Sequence, residues 1–158
     1  MKLKPDAIDK ELYPPVGFHF KVEFKLQGLS AEAREARFQE VSGLSKSLGV
    51  EEYREGGENR FSHRLPLPAK YPNLVLKRGV LRNSKLIKWC FDAIDNFVFS
   101  PVELTVTLLN EEHNPLVVWD FVGAYPVKWS ATDLKAQENS IVIESMELVY
   151  QYFTKKDA

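Results

Sequence analysis

Gly17-Phe18-His19-Phe20-Lys21-Val22-Glu23-Phe24-Lys25-Leu26 alternates without a break. Phe18, Phe20, Val22, Phe24 and Leu26 fall on one side of an extended chain, and His19, Lys21, Glu23 and Lys25 on the other. Successive side chains of a strand point to opposite faces, so the pattern is that of a strand with one face in a core and the other in water. The same period recurs after Pro101, where Val102, Leu104, Val106 and Leu108 alternate with Glu103, Thr105 and Thr107. Asn110-Glu111-Glu112-His113-Asn114 then makes a hairpin loop into a partner strand over Leu116–Val122.

Shorter extended segments are expected over Phe38–Leu44, Leu48–Arg54, Phe61–Leu67, Asn73–Gly79 and Ala124–Ser130. Pro66, Pro68 and Pro72 lack the ladder donor, which confines their stretch to an edge, a crossing or a loop. The last strand, Ile141–Phe153, is apolar on both sides: Val142, Met146, Leu148, Tyr150 and Tyr152 on one, Ile141, Ile143, Val149 and Phe153 on the other. Such a strand is sandwiched within the fold or covered from outside. A helix is read over Ser84–Phe97, capped by Asn83 or Ser84, with Leu86, Ile87, Cys90, Phe91, Ile94 and Phe97 on one side. Gly28–Glu35 reads as a loop or helical turn, and Thr132–Ala136 as a turn or short helix. The patterns therefore give a mainly β, mostly antiparallel domain with one α-helix. Residues 1–12 form a charged arm, 13–154 the β domain and 155–158 a tail.

At 158 residues the chain has the size of one domain able to bury its own core. Lys and Arg total 21 against 22 for Asp and Glu, so no global field draws it to nucleic acid or an anionic membrane. The single cysteine, Cys90, excludes an internal disulfide and a multi-cysteine zinc site. Met1–Glu11 lacks the apolar core of a secretory signal, and no stretch approaches the roughly 18 apolar residues of a membrane span. Synthesis in the cytoplasm, without membrane insertion, is the expectation.

Catalytic chemistry finds little support. His19, His63 and His113 lie on three separate segments without metal-type spacing. Cys90 sits on the apolar side of the helix, where a small buried hydrophobe is expected. Gly56-Gly57 has no helix start after it and is ringed by Glu51, Glu52, Glu55 and Glu58, which would repel a phosphate. Those carboxylates lack the spacing of a calcium loop and read as solvated or interface charges. Trp89, Trp119 and Trp129 each lie in an apolar pattern that favours core burial. Lys77-Arg78 and Lys155-Lys156 are too short for a nucleic-acid footprint. No enzyme activity, cofactor or metal is expected.

The ordered wording of the segments resembles the tail tube protein family of contractile phages, which also furnishes the tubes of phage-like extracellular injection systems. The carrying stretches are Tyr13–Phe24, Phe38-Gln39-Glu40-Val41-Ser42-Gly43-Leu44, Tyr53-Arg54-Glu55-Gly56-Gly57-Glu58-Asn59 and Leu74–Gly79. The helix around Ile87–Trp89, the Asn110–Trp119 hairpin, Ala124–Trp129 and Asn139–Glu144 complete the set. The resemblance implies a fold class that is mainly β with one flanking α-helix, an antiparallel β-sandwich or barrel of the tail-tube type, in hexameric rings stacked into a hollow tube, with strands of neighbouring subunits joined into a lumenal barrel. It implies inter-subunit or inter-ring contacts at Tyr53, Arg54, Glu55, Gly56, Gly57, Glu58 and Asn59. It also implies partners: further copies of the chain, a sheath, baseplate and tube-terminating proteins, and cargo or DNA in the lumen. The particle would be assembled in a bacterial cytoplasm. The charged leader and the Leu29–Ala36 insert depart from a minimal tube subunit, so a paralogous initiator ring at the baseplate stays open. The rival from another class is a small-molecule-binding β-barrel.

Overall fold

The computed structural model describes residues 17, 19–28, 35–36, 38–82 and 84–158. The arm expected at 1–12, most of the Leu29–Ala36 insert, Phe18 and the alternative cap Asn83 lie outside the described residues.

Strand β1 (Phe20–Phe24) buries Val22 and Phe24 and turns Lys21 and Glu23 outward, as the alternation requires. It pairs antiparallel with β7 (Val102–Leu109), Val22 opposite Val106 and Phe24 opposite Leu104. Its other edge carries the two-residue β2 (Glu35–Ala36). Strand β8 (Pro115–Ala131) is 17 residues long and absorbs both the expected Leu116–Val122 strand and the expected Ala124–Ser130 piece. Its first half pairs with β7 on one edge and β10 (Tyr152–Asp157) on the other. Its second half pairs with β9 (Ile143–Val149), which continues through β6 (Leu74–Gly79) to β3 (Glu40–Ser42). Two sheets therefore share β8, and the main core lies between them.

The expected last strand is broken at Tyr150–Gln151, where β9 ends and β10 begins. Opposite the break Gly123 has φ +67, and the Gln151 amide donates to the Val122 carbonyl at 2.9 Å. The extra residue shifts the alternation, so Met146, Leu148 and Tyr150 point inward before the break and Phe153 after it. That shift accounts for part of the two-sided apolar pattern; Ile141, by contrast, is 75% exposed. Residues 155–157, expected as a tail, belong to β10 and pair with Trp119, Val118 and Val117.

Helix α1 (Lys85–Asn96) buries Leu86, Trp89, Cys90 and Ala93 against the core. Trp89 meets Phe24 edge-on at 6.1 Å, a separation usual for aromatic pairs, and its indole N–H donates to the Ser100 carbonyl at 2.9 Å. Phe91 packs edge-on against Trp129 at 5.1 Å. Ser84 holds the N-cap position, but its hydroxyl makes no capping bond and instead accepts from Arg78 Nη2 at 2.9 Å. Residues 132–142 form a loop, with a turn at 136–137 in place of the helix considered for Thr132–Ala136.

Gly43 ends β3 with φ +91, and a Cβ there would run into the backbone carbonyl of Asn73 at the start of β6. Both the left-handed conformation and the close approach select glycine. Gly43→Ala is expected to cost about 2–3 kcal/mol, adding a backbone shift to the left-handed penalty. Urea unfolding reads this as a lower midpoint at unchanged slope. An unchanged midpoint would mean that the β3–β6 approach is not tight.

Candidate functional site

Among the described residues, strands β4 (Ser47–Tyr53) and β5 (His63–Lys70) pair only with each other, forming a hairpin outside the two sheets. Every residue of β5, and all of β4 except Gly49, is exposed. Leu48, Val50, Tyr53, Phe61 and Leu65 are each about half or more exposed, at 64%, 49%, 56%, 54% and 51%. Register places Val50 beside Pro66 and Leu48 beside Ala69 on one face, and Tyr53 beside His63 and Glu51 beside Leu65 on the other. Both faces thus carry uncovered apolar side chains.

The hairpin is clamped at its base. Tyr71 packs edge-on against Tyr150 at 5.8 Å and Phe153 at 5.7 Å, and Lys46 Nζ lies 5.2 Å from the Phe153 ring centre. Its footing is the point where β9 passes into β10.

The residues singled out by sequence sit at the far end. Tyr53 closes β4, Arg54 and Glu55 lead into a turn at Gly56-Gly57, and the Glu58 amide donates to the Glu55 carbonyl at 3.3 Å. The carboxylates do not converge. Glu58 binds Arg60 Nε at 2.9 Å, which together with the Arg60 backbone amide lowers its pKa. Glu55 meets His63 at 3.4 Å, and Glu52 meets Arg64 at 3.9 Å. Gly57 has φ +103, so a side chain there is strained, while Gly56 lacks that constraint and a Cβ on either meets only open space.

A second surface is the outward face of β1, β7, β8 and β10. It carries Lys21–Glu23 at 3.3 Å, Lys25–Glu103 at 2.7 Å and Lys156–Asp120 at 3.2 Å, with the Thr105 hydroxyl donating to Asp120 at 2.8 Å. The hydrogen bond and charge of Glu103 raise the Lys25 pKa. Partial burial pushes the Asp120 carboxyl up, but bonds from Thr105 and Lys156 outweigh it and the net shift is downward. At both ends this sheet stops, at the two-residue β2 and at β10, whose outer edge has no strand partner among the described residues.

A third surface lies at the end of α1, where Phe97 adopts the left-handed conformation at φ 55 and is 82% exposed. Its ring stacks edge-on with Phe99 at 4.8 Å, and Phe99 with Tyr125 at 5.6 Å.

Two groupings went unread in the sequence. His19 and His113, far apart in the chain, bring their rings to 5.2 Å. Arg78 and Glu144 form a buried pair at 2.6 Å, each side chain 4% exposed. The signal for the pair was present: Arg78 follows Leu74 and Leu76, and Glu144 precedes Met146 and Leu148, on the inward positions of neighbouring strands. Among the three tryptophans only Trp89 is buried; Trp119 and Trp129 are partly buried at the core's margin.

No curated protein sequence matches the chain. In the cryo-EM structure of the anti-feeding prophage baseplate, a chain 32% identical superposes with a TM-score of 0.84, covering 92% of this chain and 97% of that one. A chain of the sheath-tube complex of the extracellular contractile injection system PVC, in its extended state, is 23% identical with a TM-score of 0.78, covering 93% and 94%. Hcp1 from Flavobacterium johnsoniae shares the fold more distantly, at 11% identity and a TM-score of 0.51 over 88% of this chain and 95% of its own. The family model of the T4-like virus tail tube protein gp19 matches residues 16–154, and the chain belongs to that family.

Proposed function

We propose that the chain is a structural, non-catalytic subunit of the inner tube of a contractile injection system, in hexameric rings stacked around a lumen. The observation that carries this is the β4–β5 hairpin, apolar on both faces and, among the described residues, paired with no other strand. A two-stranded hairpin alone is marginally stable in water, so one this exposed is built to be covered by other copies. The open ends of the β2-β1-β7-β8-β10 sheet support the rest: joining β10 of one copy to the β1–β2 edge of the next removes the free edges and turns the polar face toward the lumen. Contraction of a surrounding sheath would drive the tube, with baseplate and terminating proteins at its ends and cargo inside.

Electron microscopy of the purified protein, alone and with its sheath, should show rings or tubes with a central channel. A protein that stays monomeric at high concentration and enters no tube would sink the reading. The hairpin tip gives a finer test. Gly57→Val should impair ring stacking while the monomer stays folded, because the left-handed turn disfavours a β-branched residue. Gly56→Val, free of that backbone constraint, should impair stacking less, through its bulk at the contact alone. Unchanged stacking by both variants counts against Tyr53, Arg54, Glu55, Gly56, Gly57, Glu58 and Asn59 as contacts.

A ring at the baseplate end is a second reading. It is favoured by the 32% identity to a chain of a baseplate structure, against 24% to a chain of the tube-terminating cap structure. Such a subunit would form single rings that seed polymerisation of another tube protein; long tubes of this chain alone would exclude it.

A further inference from the structure

The charges of α1 run against its own dipole. Partial positive charge gathers at the first turn of a helix and partial negative charge at the last, so carboxylates stabilise the start and cations the end. Helix α1 has no acid in its first turn and no base in its last. Lys85 and Lys88 stand near the start instead, and Asp92 and Asp95 near the end. Asp95 is exposed and, among the described residues, is in no ion pair.

The helix stop is a second anomaly. Phe97 holds φ 55, a left-handed conformation that glycine usually supplies at the end of a helix. A phenylalanine in that conformation is strained, yet its ring is 82% exposed. Phe91, Ile94, Val98 and Phe99 surround it and are exposed as well. A strained backbone that holds an uncovered aromatic ring beside unbalanced carboxylates is a surface shaped for a partner.

The β4–β5 hairpin is its complement. Tyr53 and Leu65 share one face with Phe61, whose ring meets His63 edge-on at 5.2 Å. Beside Tyr53 stands Arg54, exposed and, among the described residues, in no ion pair, whereas Arg60 and Arg64 are matched with Glu58 and Glu52. An apolar face with a spare cation thus answers an apolar patch with a spare carboxylate. Both surfaces are exposed in one copy, and they differ from each other, so joining them makes a head-to-tail contact of the kind that closes a ring or extends a stack.

We infer that the last turn of α1 receives the hairpin of another copy of the chain, with Tyr53, Phe61 and Leu65 against Phe97 and Phe99, and Arg54 beside Asp95. The inference rests on the hairpin as the assembly element proposed above and names the surface that receives it. Arg54 then supplies from outside the cation that the last turn of α1 lacks. A sheath subunit is the other occupant that an exposed aromatic patch would admit, and the test separates the two.

The test measures the concentration above which the purified protein assembles into rings or tubes, by sedimentation and electron microscopy. Phe97→Gly removes the ring and relieves the left-handed strain, so the monomer should melt near the wild type while the assembly concentration rises about tenfold or more. Arg54→Asp and Asp95→Arg should each raise that concentration about fivefold at low salt. Asp95→Arg suits the helix dipole, so its effect does not come from unfolding α1. The double variant Arg54→Asp, Asp95→Arg should return to within about twofold of the wild type, because the pair is restored with its signs exchanged. Assembly of Phe97→Gly at the wild-type concentration, or a double charge variant no better than the single ones, overturns the inference. Tubes of Phe97→Gly that form normally but no longer recruit the sheath overturn it too, and put the patch against the sheath. None of these outcomes touches the tube itself, which fails as a reading only if the wild type forms neither rings nor tubes.

Discussion

Glu144→Leu is expected to lower folding stability by about 3–5 kcal/mol, the loss seen when one partner of a buried ion pair is removed. Glu144 accepts from Arg78 Nε at 2.6 Å and, on its other oxygen, from the Trp129 indole N–H at 3.3 Å. Arg78 in turn donates to Ser84 at the start of α1, and its guanidinium lies 5.3 Å from the Phe38 ring. The pair therefore ties β6, β9, β8, the segment before β3 and the helix start into one network. Leucine at 144 leaves a guanidinium buried without its counter-charge and an indole donor without its acceptor, and either alone is costly. For a domain of this size the melting temperature should fall by about 2–4 °C per kcal/mol lost. The double variant Arg78→Met, Glu144→Leu should recover most of the loss, because no charge then remains uncompensated. A single variant that melts like the wild type would mean that the guanidinium escapes to water.

That network also shows where the sequence could be read and where it could not. The alternation of Phe20, Val22 and Phe24 and of Val102, Leu104 and Val106 made the β1–β7 pair legible, because one face of each strand is buried and the other wet. The helix was legible to within a residue at each end, since its apolar arc is long enough to fix a period. The length of β8 was not: Gly123 reads as a strand end, whereas the structure uses it as a bulge opposite Gln151 and carries the strand on to Ala131. Boundaries hidden by a bulge escape a two-residue period, which assumes regular pairing. The buried ion pair escaped because charge was counted as surface, although its position on the inward side of both strands was visible. The hairpin tip was legible as Gly-Gly flanked by charge, but only the backbone angle separates Gly57, which requires glycine, from Gly56, which does not.

Val50→Asp and Leu65→Asp should each abolish tube assembly while leaving the monomer as stable as the wild type. The two side chains lie on opposite faces of the hairpin, Val50 beside Pro66 and Leu65 opposite Glu51. Each is half exposed and, among the described residues, the hairpin pairs with no other strand, so a carboxylate at either position disturbs no packing that the described residues make. Surface changes of that kind usually stay within about 0.5 kcal/mol. In an assembled tube the balance reverses. Burying a valine or leucine contributes about 1.5–3 kcal/mol, and an aspartate forced into the same contact loses that and adds an uncompensated charge. The loss recurs at every copy, so a modest defect per interface is multiplied along the polymer. In the proposed tube the opposite faces would meet different neighbours, so that one variant should stop ring closure and the other the stacking of rings. Electron microscopy with sedimentation separates these outcomes as monomers or isolated rings. If both variants form normal tubes, the hairpin stays in solvent within the particle and its apolar side chains need another explanation. If both fail at the same stage, the two faces serve a single interface, and the hairpin is inserted into a groove of one neighbour.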